Sequence, residues 1–326
     1  MTVLVTGAAG FIGYHLCESL LRSDREVLGI DDMNPYYDPS LKEARLSGLR
    51  AHKGFRFHQI DISDRKKMIE LADRQQDITH VVHLAAQAGV RYSLENPYRY
   101  IESNVMGHLV VMEVCRRLST LRHLVYASSS SVYGANAKLP FSVDDPVDQP
   151  ISLYAATKRS NELMAETYCH LYRIPMTGLR FFTVYGPWGR PDMAAFIFTK
   201  AIFEGRPIQV FNNGNMKRDF TYIDDIIDGI LAAMNRPPVD KGITTPHHIY
   251  NLGNHSAEEL TRFIELLEEA TGQRAIKEFR SIQPGDVEHT CAEITRSTRD
   301  LDFEPKTSIE EGIPKFVKWF REYHRL

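Results

Sequence analysis

Four cysteines in 326 residues, Cys17, Cys115, Cys169 and Cys291, are too few and too scattered for a disulfide framework or a metal-ligand set. No CxxC pair occurs, so the thiols read as small core residues in a reducing compartment and no metal is expected. No apolar run approaches the roughly 18 residues that a membrane-spanning helix needs. The opening MTVLVTG enters a strand at once and leaves no room for a signal peptide, so the expected location is cytoplasmic, with no membrane partner. Basic runs are short fragments such as Asp64-Arg65-Lys66-Lys67, and a net charge of −3 with both signs mixed argues against a nucleic-acid surface. Internal repeats and low-complexity tracts are missing too.

What remains is an ordinary globular composition, 43% hydrophobic and 25% charged, long enough for one large domain and a smaller one. The β-branched run Thr2 to Thr6 ends in Gly7-Ala8-Ala9-Gly10-Phe11-Ile12-Gly13 and passes into a helical pattern through Leu16, Leu20 and Leu21. Strand, glycine turn and helix make a phosphate-binding unit, because glycine lets the backbone approach a pyrophosphate while the helix start offers free N–H groups. About twenty residues on, the strand from Glu26 ends in Asp31-Asp32, where a carboxylate can accept from an adenosine ribose and would repel a 2′-phosphate. The cofactor expected from this spacing is NAD, not NADP.

Further strands follow at Phe55 to Ile60, ending in Asp61-Ile62, which would bracket an adenine, and at His80 to Leu84, ahead of the small-residue stretch Ala85-Ala86-Gln87-Ala88-Gly89. A strand from His123 to Ala127 opens into Ser128-Ser129-Ser130-Ser131, and another spans Met176 to Phe182. Apolar strands alternating with helical segments describe an α/β fold with a doubly wound parallel sheet covered on both faces. Thr183 to Met193 holds two prolines and two glycines, which places a boundary between a cofactor domain, residues 1–182, and a smaller C-terminal α/β substrate domain, residues 183–326. The strand at His248 to Leu252 and the helices Ala257 to Thr271 and Ser308 to Tyr323 are expected in the smaller part, with the chain crossing between the two.

Read as a helix, Leu153 to Tyr172 puts Tyr154 and Lys158 four residues apart on one face. A phenol with an ordinary pKa of about 10 is a poor base at neutral pH unless nearby positive charge favours the phenolate, and Lys158 is placed to supply it.

Gly7-x-x-Gly10-x-x-Gly13, Asp31, the serine strand end and Tyr154-x-x-x-Lys158 together resemble the extended short-chain dehydrogenase/reductase superfamily, over nearly the whole chain. That resemblance implies a Rossmann domain, Tyr154 as acid/base, Lys158 lowering its pKa and holding the nicotinamide ribose, and Ser129 binding the reacting oxygen. It also implies cofactor contacts from Gly7, Gly10, Phe11, Ile12, Gly13, Asp31, Asp61, Ile62, Leu84, Ala85 and Ala86.

More narrowly, Ala85 to Pro97 (AAQAGVRYSLENP), Thr183 to Ala194 (TVYGPWGRPDMA), Asn213 to Ile226 (NGNMKRDFTYIDDI) and Gln283 to Val287 (QPGDV) resemble nucleotide-sugar 4-epimerases acting on UDP-glucuronate. By that resemblance Arg218 meets the pyrophosphate, Asp286 the uridine ribose and the Gln209-Val210-Phe211 backbone the uracil. Related enzymes that eliminate water or carbon dioxide carry a carboxylate just before Val-Tyr-Gly, where this chain has Ser130 and Ser131. Serine cannot do a carboxylate's proton transfer at neutral pH, which demotes both reactions. Holding a C6 carboxylate against decarboxylation falls to Arg190, Thr183, Ser130 and Ser131. Three classes follow: a UDP-glucuronate 4-epimerase, another NAD enzyme of UDP-sugars (a neutral-sugar epimerase, oxidoreductase or decarboxylase), and a non-catalytic NAD-binding protein, which the retained Ser129, Tyr154 and Lys158 disfavour. The helix pair Tyr98 to Leu118 and Leu153 to Tyr172 resembles the superfamily's dimer interface and implies a homodimer.

Overall fold

The computed structural model describes residues 2–283 and 285–326; Met1, and Pro284 within the Gln283 to Val287 segment, lie outside the described residues. Six strands are introduced in chain order: β1 (Thr2–Thr6), β2 (Glu26–Asp31), β3 (Phe55–Gln59), β4 (Ile78–His83), β5 (His123–Ser129) and β6 (Met176–Phe181). With the strand His247–Leu252 they form one seven-stranded sheet, in the order His247–Leu252, β6, β5, β4, β1, β2, β3. Every neighbouring pair is parallel.

Alternation within the strands explains why the sheet is covered twice. Val3, Val5, Val27, Val82, Val125 and Leu179 belong to one buried cluster, while their neighbours Leu4, Leu28, Val81, Leu124 and Tyr126 belong to another. Each such side chain contributes roughly 1.5–3 kcal/mol on burial. The strand order reverses between β1 and β4, which opens a crevice at the carboxyl ends of the strands, where ligands bind in such sheets.

The long periodic segments form where the residue pattern places them: Leu153–Tyr172 is helical throughout, as is Ile223–Met234. Four differences are instructive. His247–Leu252 is the edge strand of the large sheet, not part of the smaller unit, because its backbone pairs with β6 from Met176 to Phe181. The helix expected from Ala257 begins at Leu260, since Glu258–Glu259 pairs antiparallel with Lys217–Arg218. The run expected from Tyr98 to Leu118 is helical in three parts, with a π-helical segment at Ile101–Met106. An additional helix, Pro39–Arg50, starts where Asp38 accepts from Ser40 N at 2.9 Å and Pro39 takes the first turn.

After Phe181 the chain builds small two-stranded pieces, Thr183–Tyr185 with Phe220–Tyr222 and Ile208–Val210 with Lys277–Phe279. They pack on aromatic contacts such as Phe220 against Phe263, whose ring centroids lie 4.1 Å apart.

The carboxyl end of the sheet is fastened by an ion pair in the interior. Arg180 of β6 donates from Nε and Nη2 to the two carboxylate oxygens of Glu162 at 2.8 and 2.9 Å, with both side chains essentially without solvent contact. Ser128 Oγ of β5 donates to the same carboxylate at 2.7 Å, and Arg159 Nη1 at 2.9 Å. Removing one partner of such a pair strands the other charge without solvent. Glu162→Ala is therefore expected to lower the unfolding free energy by about 3–5 kcal/mol in a urea titration. A loss under about 1 kcal/mol, the scale of a solvated surface pair, would show that the pair does not fasten these elements.

Candidate active site

One cavity of about 1320 Å³ runs along the carboxyl ends of the strands. At its dinucleotide end, β1 delivers the glycine turn. Gly7 adopts a φ of +73°, and a Cβ there would lie 2.9 Å from Ala85 N; a Cβ on Gly13 would lie 2.0 Å from Gly7 O. The helix Phe11–Arg22 starts at Gly10 with no side-chain cap, so its first N–H groups are free of side-chain acceptors. A turn this close, opening on an uncapped helix start, fits the pyrophosphate of a dinucleotide.

Asp31 ends β2, nearly buried. It accepts from Met33 N at 2.9 Å and Ala9 N at 3.3 Å, and Lys42 Nζ sits 3.3 Å away. Burial raises its pKa, opposed by the charge of Lys42. Arg99 bridges Asp32 and Asp61, the latter at 3.0 Å. Thr6 Oγ1 accepts from Leu84 N and Ala85 N at 3.1 and 3.0 Å, which fixes the small-residue stretch beside the glycines. The next residues are held by Asn104, whose side chain accepts from Gln87 N at 2.8 Å and donates to Thr157 Oγ1 at 3.1 Å.

The helix Leu153–Tyr172 opens at Ser152, whose hydroxyl accepts from Ala155 N at 3.1 Å, and Tyr154 lies in its first turn. Burial raises the Tyr154 pKa, while the nearby Ser129 hydroxyl and the charge of Arg190 lower it. Lys158, one turn on, donates from Nζ to Ala127 O at 2.9 Å. Burial pushes its ammonium down to about 8, against the charge of Glu162. Arg190 is thus a cation that bears on the phenol, an influence the sequence reading did not name, in addition to Lys158 one helical turn away. Ser128 and Ser129 belong to β5 and Ser130 starts a short 3₁₀ turn, so the serines stand on regular backbone.

Arg190 itself is engaged. Its Nε and Nη2 donate to the Asp192 carboxylate at 3.0 and 2.5 Å, and Tyr36 OH donates to the same carboxylate at 3.1 Å. Behind that loop, the fully buried Arg45 donates from Nη1 to Ala9 O at 2.9 Å and from Nη2 to Trp188 O at 2.6 Å. At the far end Arg91 pairs with Asp286 at 3.1 Å and lies 4.8 Å from the Phe211 ring centroid. Arg218 donates to Glu288 O at 2.9 Å, and burial lowers its pKa despite Asp286. Two guanidinium groups with one carboxylate leave net positive charge there, suited to a diphosphate.

The cavity brings together Gly7, Gly10 to Gly13, Asp31, Asp61, Ile62, Leu84 to Ala86, Ser129 to Ser131, Tyr154, Lys158, Thr183, Arg190, Gln209, Phe211, Arg218 and Asp286. Val210 is the exception: its side chain is in the core and its carbonyl accepts from Arg280 N at 2.9 Å, so it does not line the cavity. Residues that the sequence reading did not single out are Lys42, Arg91, Arg99, Tyr36 and Asp192. Asp192, two residues past Arg190, carried a readable signal; Tyr36 and Arg99 reach the site only through tertiary packing.

Comparison with known proteins adds a family and its relatives. The model of the NAD dependent epimerase/dehydratase family matches residues 3–253. A probable UDP-glucuronate 4-epimerase of Rhizobium meliloti is 43% identical, covering 100% of this chain and 98% of its own. UDP-glucuronate 4-epimerase 4 of Arabidopsis thaliana is 46% identical, covering 99% and 76%. Among solved structures, UDP-glucuronic acid 4-epimerase from Bacillus cereus, in complex with UDP-glucuronic acid and NAD, superposes with a TM-score of 0.90 at 35% identity over 99% of this chain and 100% of that one.

The glycine turn generates a direct test. Because a Cβ on Gly13 meets backbone and not a movable side chain, Gly13→Ala is expected to weaken dinucleotide binding by about tenfold or more, about 1.4 kcal/mol, in a fluorescence titration. Unaltered binding would show that the turn does not form the cradle.

Proposed function

The chain belongs to the NAD dependent epimerase/dehydratase family, and on that premise we propose that its cavity carries out NAD-dependent 4-epimerisation of UDP-glucuronate to UDP-galacturonate. The observation that carries the reading is the convergence of Tyr154, Ser129 and Arg190 in the cavity that also contains the glycine turn. NAD, when bound, supplies a reversible two-electron acceptor that is restored within each cycle.

The chain's own groups do the rest. Tyr154 takes the proton of the sugar C4 hydroxyl and later returns it, with Ser129 hydrogen-bonded to the same oxygen. Lys158, anchored on Ala127 O, holds the nicotinamide ribose. Asp31 takes the adenosine ribose, and Asp61 and Ile62 flank the adenine. Arg218 and Asp286 hold the uridine diphosphate, with Gln209 and Phe211 beside the uracil. Between the two half-reactions the 4-keto sugar must turn over to present its other face.

A 4-keto hexuronate is a β-keto acid and loses carbon dioxide unless its carboxylate is held. Arg190 grips it through charged hydrogen bonds, with Thr183, Ser130 and Ser131 alongside. An elimination reaction would need a further acid at the reacting carbons. Although burial opposes it, Arg190 and Tyr36 hold the Asp192 carboxylate below its ordinary range, so this group is not a proton donor. In this reading residues 1–182 supply the dinucleotide side and residues 183–326 the sugar-nucleotide side, with His247–Leu252 returning to the large sheet.

Incubation with UDP-glucuronate should give UDP-galacturonate without added reductant, resolved by chromatography. Tyr154→Phe should cut kcat by a factor on the order of 10² or more, the contribution of general acid–base catalysis, while NAD stays bound. A drop of only two- or threefold would remove Tyr154 from its assigned role, and turnover of UDP-glucose but not UDP-glucuronate would point to a neutral-sugar epimerase.

The assembly we propose is a homodimer through the helical run from Pro97 to Arg117 and the helix Leu153–Tyr172. Tyr98, Ile101 and Met106 on the first and Leu163, Leu171 and Tyr172 on the second are apolar and exposed. Two neighbouring helices with such faces fit a four-helix interface between copies. Light scattering should give twice the 37.3 kDa chain mass, and Leu163→Glu should shift it toward one; a monomer in the unaltered protein would rule the interface out.

A further inference from the structure

The grip of Arg190 is shared before any substrate arrives. Asp192 takes the side-on edge of the guanidinium, through Nε and Nη2, and is itself tied down by Tyr36 OH. Tyr36 is braced in turn by Tyr92, with ring centroids 4.7 Å apart, and a Cβ on Gly89 would lie 3.2 Å from Tyr36 OH and 3.7 Å from both Arg190 Nη2 and Asp192 Oδ2. The cation therefore sits in a close setting with a carboxylate already on it, and only its end-on edge, Nη1 with the second Nη2 proton, is left for a ligand.

We propose that Asp192 is a specificity-setting and positioning residue: it neutralises Arg190 enough that the C6 carboxylate of a hexuronate stays held through both half-reactions, by a contact loose enough to let the 4-keto sugar turn over. This rests on the epimerase reading above. A sugar that must present both faces cannot stay locked in a full-strength bidentate ion pair, because charged hydrogen bonds of that kind are the strong ones and each must loosen for the ring to turn. A second carboxylate on the same guanidinium weakens the grip by like-charge repulsion across a few ångströms. It also tempers the influence of Arg190 on the phenol of Tyr154. The groups that face that phenol are Ser129 from β5, Arg190 with its partners Asp192 and Tyr36, Tyr100 with its ring centroid 6.1 Å away, and Lys158 on the same helix. Asp192 is the anion among them.

The test is Asp192→Asn, which keeps the size and removes the charge. The expected result is affinity for UDP-glucuronate tightened by roughly three- to tenfold, affinity for UDP and UDP-glucose unchanged, and kcat reduced with KM. The acid limb of the pH–rate profile should move down by about one unit, because an uncompensated guanidinium favours the phenolate. A merely structural role would lower kcat and leave both carboxylate affinity and profile where they were. Weaker or unchanged UDP-glucuronate binding with UDP binding intact would overturn the proposal. Tyr36→Phe, which loosens Asp192 without removing it, should move affinity in the same direction by a smaller factor and serves if the asparagine variant does not fold. Should the unaltered protein leave UDP-glucuronate unconverted, the epimerase reading falls; the charge-sharing proposal is then still decided by calorimetric binding of UDP-glucuronate against UDP-glucose and by ultraviolet titration of the phenol.

Discussion

A single carboxylate in the interior, that of Glu162, holds the cavity end of the molecule together. It receives Arg180 from β6, Ser128 from β5 and Arg159 from its own helix. In the sheet, Ser128 and Asn251 flank Arg180 on the two neighbouring strands. Asn251 also accepts from Tyr133 OH at 2.6 Å, and the Arg180 guanidinium lies 4.9 Å from the Tyr133 ring centroid. Three strand ends, one 3₁₀ turn and the helix bearing Tyr154 and Lys158 are thus registered on one buried ion pair. The pair is costly to desolvate, and its return is positional: Ser129 and Tyr154 are adjacent to groups that cannot shift independently.

The charges of the cavity are arranged as pairs that a ligand must enter. Asp31 has Lys42, Asp286 has Arg91, and Arg190 has Asp192. In each, the pairing holds the side chain in place, so little ordering is left for a ligand to impose.

Much of this was legible in the residues. The 3.6-residue period of Leu153 to Tyr172, the apolar strands and the glycine spacing are local signals, and the elements they imply form within a few residues of the expected bounds. Nearly every named site residue lines the cavity because these signals mark strand ends, and the topology gathers strand ends in one crevice. What could not be read depends on distant partners. The pairing of Glu258–Glu259 with Lys217–Arg218 joins segments about forty residues apart that have no β pattern of their own. His247–Leu252 is indistinguishable in sequence from a strand of the smaller unit, and only its pairing with β6 assigns it. Strand alternation turns the Val210 side chain inward between Gln209 and Phe211, and its carbonyl is taken by Arg280 N, a pairing no local signal announces.

Arg45 carries one last implication. Its guanidinium joins the carbonyl of Ala9, in the glycine turn, to that of Trp188, two residues before Arg190. The two ends of the active site are therefore not independent modules that evolution could exchange separately. A change that repositions the 188–190 loop pulls on the glycine turn at the other end of the cavity, and a drift in that turn is passed back to the loop. New substrates should be reached most cheaply by altering side chains on this loop while leaving its backbone still, which confines the accessible variation to a few positions.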